Sequence, residues 1–119
     1  MSSLRERLLA KAVCPEELIT VEGEQVLIRG LSAKQRNELY AAMPKKDDGE
    51  RMTGEEISHM EAEVVILCTL DPVTKKPLFD KADRDALEAM PGNILAAMSR
   101  PAFRLSGMDT KGRDEAKNA

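Results

Sequence analysis

The chain has no tryptophan, one tyrosine, two phenylalanines, one histidine and two cysteines among its 119 residues. With so few aromatics, a core must be filled by leucine, alanine, valine and seven methionines, a mixture that suits helix packing better than a β-sandwich. A single histidine, His59, leaves no material for a histidine metal cluster. Cys14 and Cys68 lie outside any C-x-x-C spacing and are expected to be reduced thiols. No apolar run approaches the roughly 18 residues that a membrane span requires. The opening MSSLRERLLAKAV carries too much charge in its middle for a secretory signal. Nor is there a basic excess: 18 Lys and Arg stand against 21 Asp and Glu, net −3, without the clustered cations of a nucleic-acid footprint.

What is present reads as an α+β, mainly helical chain: an N-terminal β-hairpin followed by a small bundle of about four helices. Residues 1–108 are expected to form one domain. Residues 109–119, DTKGRDEAKNA, lack an apolar period and are expected to be a disordered C-terminal tail. In SLRERLLAKA, Leu4, Leu8, Leu9 and Ala12 share one helical stripe, which Pro15 forces to stop near Val13 and Cys14. LITVEGEQVLIRG alternates Ile19 and Val21, then Val26 and Ile28, about a turn at Gly23. Ser32 with Gln35, and Thr53 with Glu56, are capping boxes opening two helices. The first should run from about 33 to 43, with Leu39 and Met43 inward. The polar PKKDDGERMTG between them reads as a mobile loop.

The second helix, EEISHMEAEVVILCTL, ends in a stretch apolar on every side, which belongs at the centre of the core. A helix is favoured there because no breaker interrupts the run, and a strand over 64–70 is the rival because Val-Val-Ile is β-prone. Asp71 to Leu78 then forms a turn or a very short hairpin. LFDKADRDALEAM carries four acids, Asp80, Asp83, Asp85 and Glu88. A calcium loop would need an acid at its third position, glycine at its sixth and glutamate at its twelfth; counting from Asp80 these are Ala82, Asp85 and Pro91. The acids instead suit a helix start, with Asp80 as N-cap and Asp83 in the first turn. Ala86, Leu87 and Met90 form that helix's inner stripe. Asn93 is placed to cap a last helix, whose inner face is Ile94, Leu95, Met98, Ala102 and Leu105. Pro101 should kink it, and Gly107 should close it.

No catalytic, metal-ligating or cofactor-binding residues are assigned. His59 reads as a solvated residue beside Ser58 and Glu63, and Cys68 as a buried, inert thiol. Neither GLSAK nor GEEIS has the spacing of a phosphate-binding loop. The basic face of KQRNEL, with Lys34 and Arg36, is diluted by Glu38 and reads as a solvated helix face. What remains is Met90, Met98, Phe103 and Met108, gathered around a proline-containing C-terminal helix. Not all of them fit inside, and adaptable methionine surface suits holding a segment of another chain.

The order of these elements resembles the tail assembly chaperones of long-tailed, siphovirus-like bacteriophages. The resemblance is carried by Ile28-Arg29-Gly30-Leu31-Ser32 before a helix bearing Arg and Glu, by Leu70-Asp71 through Pro77-Leu78-Phe79, and by Leu87 through Gly107. It covers about residues 17 to 108. It implies a non-enzymatic protein of the host bacterial cytoplasm that binds the tape-measure protein, and tail-tube subunits, during tail morphogenesis and is absent from the mature virion. It also implies self-association as a further contact, with no nucleic-acid or membrane partner. Such chaperones commonly have a longer product made by programmed frameshifting; Ala116-Lys117-Asn118 are residues that a slippery heptamer could encode. Two other functions stay open at this point: a structural virion connector or completion protein, and a small DNA-binding regulator using residues 32–43.

Overall fold

The computed structural model describes residues 3–45, 47 and 49–108. The disordered tail expected over 109–119, and the frameshift residues within it, lie outside the described residues. In chain order the elements are α1 (Leu4–Ala10), β1 (Glu16–Val21), β2 (Glu24–Arg29), α2 (Ala33–Ala41), α3 (Gly54–Cys68), β3 (Thr69–Leu70), a single 3₁₀ turn (Lys81–Asp83), α4 (Arg84–Ala89) and α5 (Gly92–Leu105). The architecture is α+β and mainly helical. Among the described residues no helix is long and apolar enough to cross a membrane.

β1 and β2 form an antiparallel hairpin in which Val21 faces Glu24 and Glu16 faces Arg29. The two residues between the strands, Glu22 and Gly23, both have positive φ, 49° and 81°. That is the backbone a tight two-residue hairpin turn needs, because its twist matches the strands it joins. β2 is the middle strand of a three-stranded sheet, with β3 antiparallel on its other side. β2 is thus paired along both edges, and Val26, Leu27 and Ile28, whose side chains alternate between the two faces of the sheet, are all buried.

α3 ends at Cys68, and the chain changes to strand for Thr69 and Leu70 only. The β-prone run Val64–Ile66 thus stays helical, fixed by packing on several sides. Val64, Val65 and Cys68 are fully buried, and α3 packs against α2, α4 and α5. Leu39, Leu87, Leu95, Met98, Ala102 and Ile28 close the core around it. Each fully buried aliphatic side chain there contributes about 1.5–3 kcal/mol. Asp71 opens a short hairpin turn: its carboxylate accepts from the N–H groups of Thr74 and Val73, which holds it below the usual carboxylate range. Leu70 then bridges to Pro77.

Two expected details differ. Pro91, not Asn93, occupies the N-cap of α5, because the helix begins two residues earlier, at Gly92, and the carbonyl of Pro91 accepts from the N–H groups of Ile94 and Leu95. Ala86 is exposed, so α4 turns only Leu87 fully inward, with Met90 half-buried at its end.

Candidate functional site

The final turn of α5 shows how the sequence builds the principal surface feature. Gly107 has φ +72°, the left-handed conformation that ends a helix without steric cost to glycine. Its N–H donates to the carbonyl of Arg104, and the Met108 N–H donates to that of Phe103 at 2.8 Å. This pair of bonds is a Schellman motif, which folds the residue after the glycine back toward the last turn. Met108 is thereby brought beside Phe103. Both line one groove.

That groove has a volume of about 990 Å³. Its apolar wall is Ile19 from β1, Met52, Ile57 and Met60 from α3 and the segment before it, and Pro101, Phe103 and Met108 from the end of α5. Ile57 is 47% exposed, so the apolar surface is open to solvent rather than part of the core. Charges of both signs stand around it. Arg104 is paired with Glu17 across from β1, and Glu61 accepts a hydrogen bond from the buried Ser99 hydroxyl at 3.1 Å. Arg51 and Arg100 complete the rim with Glu50.

The four residues singled out in the sequence therefore separate. Phe103 and Met108 meet in the groove. Met98 is 3% exposed and lies in the core among Leu95 and Ala102, where it supports α5 rather than presenting surface. Met90 is half-buried beside the core, at the turn between α4 and α5, and does not line the groove. Ile19, Ile57 and Met60 were not anticipated as surface residues. Their helical and strand periodicity assigns them inward, and only the assembled fold shows that their faces meet at a groove.

A second hollow, about 570 Å³, lies between α2, α3 and α4, where Glu55, Glu56, His59, Arg84 and Glu88 stand with Ala42, Met43 and Pro44. His59, expected to be solvated, is instead half-buried, with Nε2 3.8 Å from Glu63 and Nδ1 3.8 Å from Glu88. Arg84 reaches the same two carboxylates at 3.5 and 3.9 Å. This network explains how Glu63 is buried, since a buried carboxylate requires a partner. It ties α4 to α3. Asp80 and Asp83 form a capping box: the Asp80 carboxylate accepts from the Ala82 N–H and the Asp83 carboxylate from the Asp80 N–H, each at 2.9 Å. Among the described residues no three His, Cys, Asp or Glu side chains are grouped to hold a metal ion. The Cys68 thiol is pushed up to about 12, chiefly by burial, although its hydrogen bond with Ser106 acts the other way. A neutral thiol of this kind is a poor nucleophile.

No family model matches this chain, and no curated protein matches it in sequence. Among solved structures it is similar to the tail assembly chaperone of bacteriophage HK97, with a TM-score of 0.57. The match covers 87% of this chain and 95% of that one, at 16% identity. At that identity the likeness is one of fold.

Proposed function

We propose that this chain is a non-enzymatic bacteriophage tail assembly chaperone, whose domain over residues 1–108 binds the tape-measure protein, and tail-tube subunits, during tail morphogenesis. The observation that carries the reading is the open groove between α3 and α5, set in a fold shared with the HK97 chaperone along nearly its whole length. A long helical tape measure exposes apolar stripes until the tube encloses it. A groove walled by methionine, isoleucine and phenylalanine suits such stripes, because flexible methionines repack around differing side chains. Phe103 and Met108 are the contact residues in this reading, and Met90, outside the groove at the α4–α5 turn, would be a separate, secondary contact. Met98 lies in the core and supports α5 rather than touching the partner. The protein acts in the host cytoplasm and leaves before the virion is complete.

Co-expression tests this. The chain is expected to keep its phage's tape-measure protein soluble and to co-purify with it, while mass spectrometry of finished particles finds no stoichiometric copy. A fixed number of copies in the particle would instead identify a connector or completion protein. Retention on DNA that falls steeply with salt would identify a DNA-binding regulator.

A further inference from the structure

We propose that the free edge of β1 takes up an extended segment of another protein as a fourth strand of the sheet, a segment with an uncharged, β-branched centre and basic ends. β1 is an outer strand, since the sheet runs β1-β2-β3. The carbonyl of Pro15 accepts from the Gly30 N–H at 2.8 Å, which makes these two residues a hydrogen-bonded pair. Such pairs alternate along an antiparallel ladder, so Glu17, Ile19 and Val21 bond to β2 with Ile28, Val26 and Glu24 opposite them. The N–H and C=O groups of Glu16, Leu18 and Thr20 therefore point away from β2. Among the described residues these outward groups have no hydrogen-bond partner.

A sheet edge is commonly blunted by proline, lysine, a bulge or a very short strand. β1 has none of these: it is six residues long, EELITV, and its pairing runs unbroken from Glu16 to Val21. A strand added to such an edge gains main-chain bonds, and the side chains around it set what it must carry. Leu18, Leu27 and Leu70 stand opposite one another across the three strands, on one face of the sheet. Leu27 and Leu70 are 8% and 4% exposed, but Leu18, at the end of the row, is 51% exposed. On the other face, Ile19 is the one sheet residue among those lining the α3–α5 groove. Both apolar rows stop at β1, and two adjacent apolar residues in an added strand, one per face, continue them.

Charge sets the ends. Glu16 and Glu17 open β1, and Glu22 and Glu24 stand exposed at its turn. Basic residues flanking an uncharged centre complement them whichever way the segment runs. The β1 strand of a second copy fits worse, because it brings glutamates against glutamates. The contact goes beyond the tape-measure reading and stands whatever the groove holds.

The test uses the purified chain and a synthetic hexapeptide, Lys-Thr-Val-Ile-Thr-Lys, acetylated and amidated, with amide exchange followed residue by residue by NMR. In the free chain the Leu18 and Thr20 amides should exchange fast and those of Glu17, Ile19 and Val21 slowly. Peptide at about five times its dissociation constant is expected to slow Leu18 and Thr20 roughly sixfold, because the paired state is closed to exchange. The same peptide N-methylated at its four central amides keeps its side chains but cannot pair, and it should slow neither. Thr20→Pro removes one outward N–H at an exposed position and should weaken binding at least about fivefold, with circular dichroism and melting temperature verifying the fold. Where that variant does not fold, the methylated peptide decides the matter. The proposal is overturned if peptide up to roughly 10 mM leaves Leu18 and Thr20 exchanging as in the free chain, or if the methylated peptide slows them equally. It is also overturned if the chain alone protects them in proportion to its concentration, which would make a second copy the occupant. A helix lying in the groove protects neither amide, so failure here leaves the tape-measure reading standing.

Discussion

At the scale of single residues, glycine 30 links the sheet to the surface that matters. An ideal Cβ there would stand 2.5 Å from the carbonyl oxygen of Leu105, closer than real Cβ contacts come. The backbone of β2 therefore leaves the sheet pressed against the end of α5. The next N–H, that of Leu31, donates to the Ser106 hydroxyl at 2.8 Å, and that hydroxyl donates to the Ala102 carbonyl at 2.6 Å. Gly30→Ala must push these apart. It is expected to cost about 1–3 kcal/mol in urea-unfolding stability, and an unchanged midpoint would show that the close approach is unimportant. Residue readings were sound where a local rule governs, as with Gly107 and Asp80. They were poor for His59, because Glu63 stands four positions along the same helix while Glu88 arrives from α4, which no local pattern announces.

At the scale of elements, the capping boxes were plain in the sequence and both are formed: Ser32 with Gln35, and Thr53 with Glu56. The hairpin and the inward stripe of α5 were equally legible, since each follows from a period of 2 or 3.6 residues. The place where α3 becomes β3 was not. Val64 to Cys68 is apolar throughout, so periodicity is silent, and the pairing of Thr69 with Ile28 decides the matter from a distant part of the chain. The same contrast separates helices that carry the fold from one that does not. Leu87 is 1% exposed and anchors α4 to α3, whereas Leu8 of α1 is 59% exposed. Leu87→Ala should cost about 2–5 kcal/mol in chemical denaturation, while Leu8→Asp should change stability by no more than about 0.5 kcal/mol. Comparable losses in both would mean that α1 is packed in solution.

At the scale of the whole molecule, the groove could not be read from the sequence because it is assembled from three separate stretches: Ile19, residues 50–61 and residues 100–108. Of the methionines near the C-terminus, Met108 lines the groove, whereas Met98, whose i, i+3 and i+7 relation with Leu95 and Ala102 places it inside, does not. The fold supplies the remainder by setting the sheet, α3 and α5 around one hollow. If the groove is where the tape measure is held, hydrogen exchange on the co-purified complex tests it most directly. Binding is predicted to slow amide exchange in residues 50–61 and 100–108 and to leave the turn at Glu22 and Gly23 unchanged. Protection confined to the hairpin or to α2, with the groove segments exchanging as in the free chain, would contradict the account.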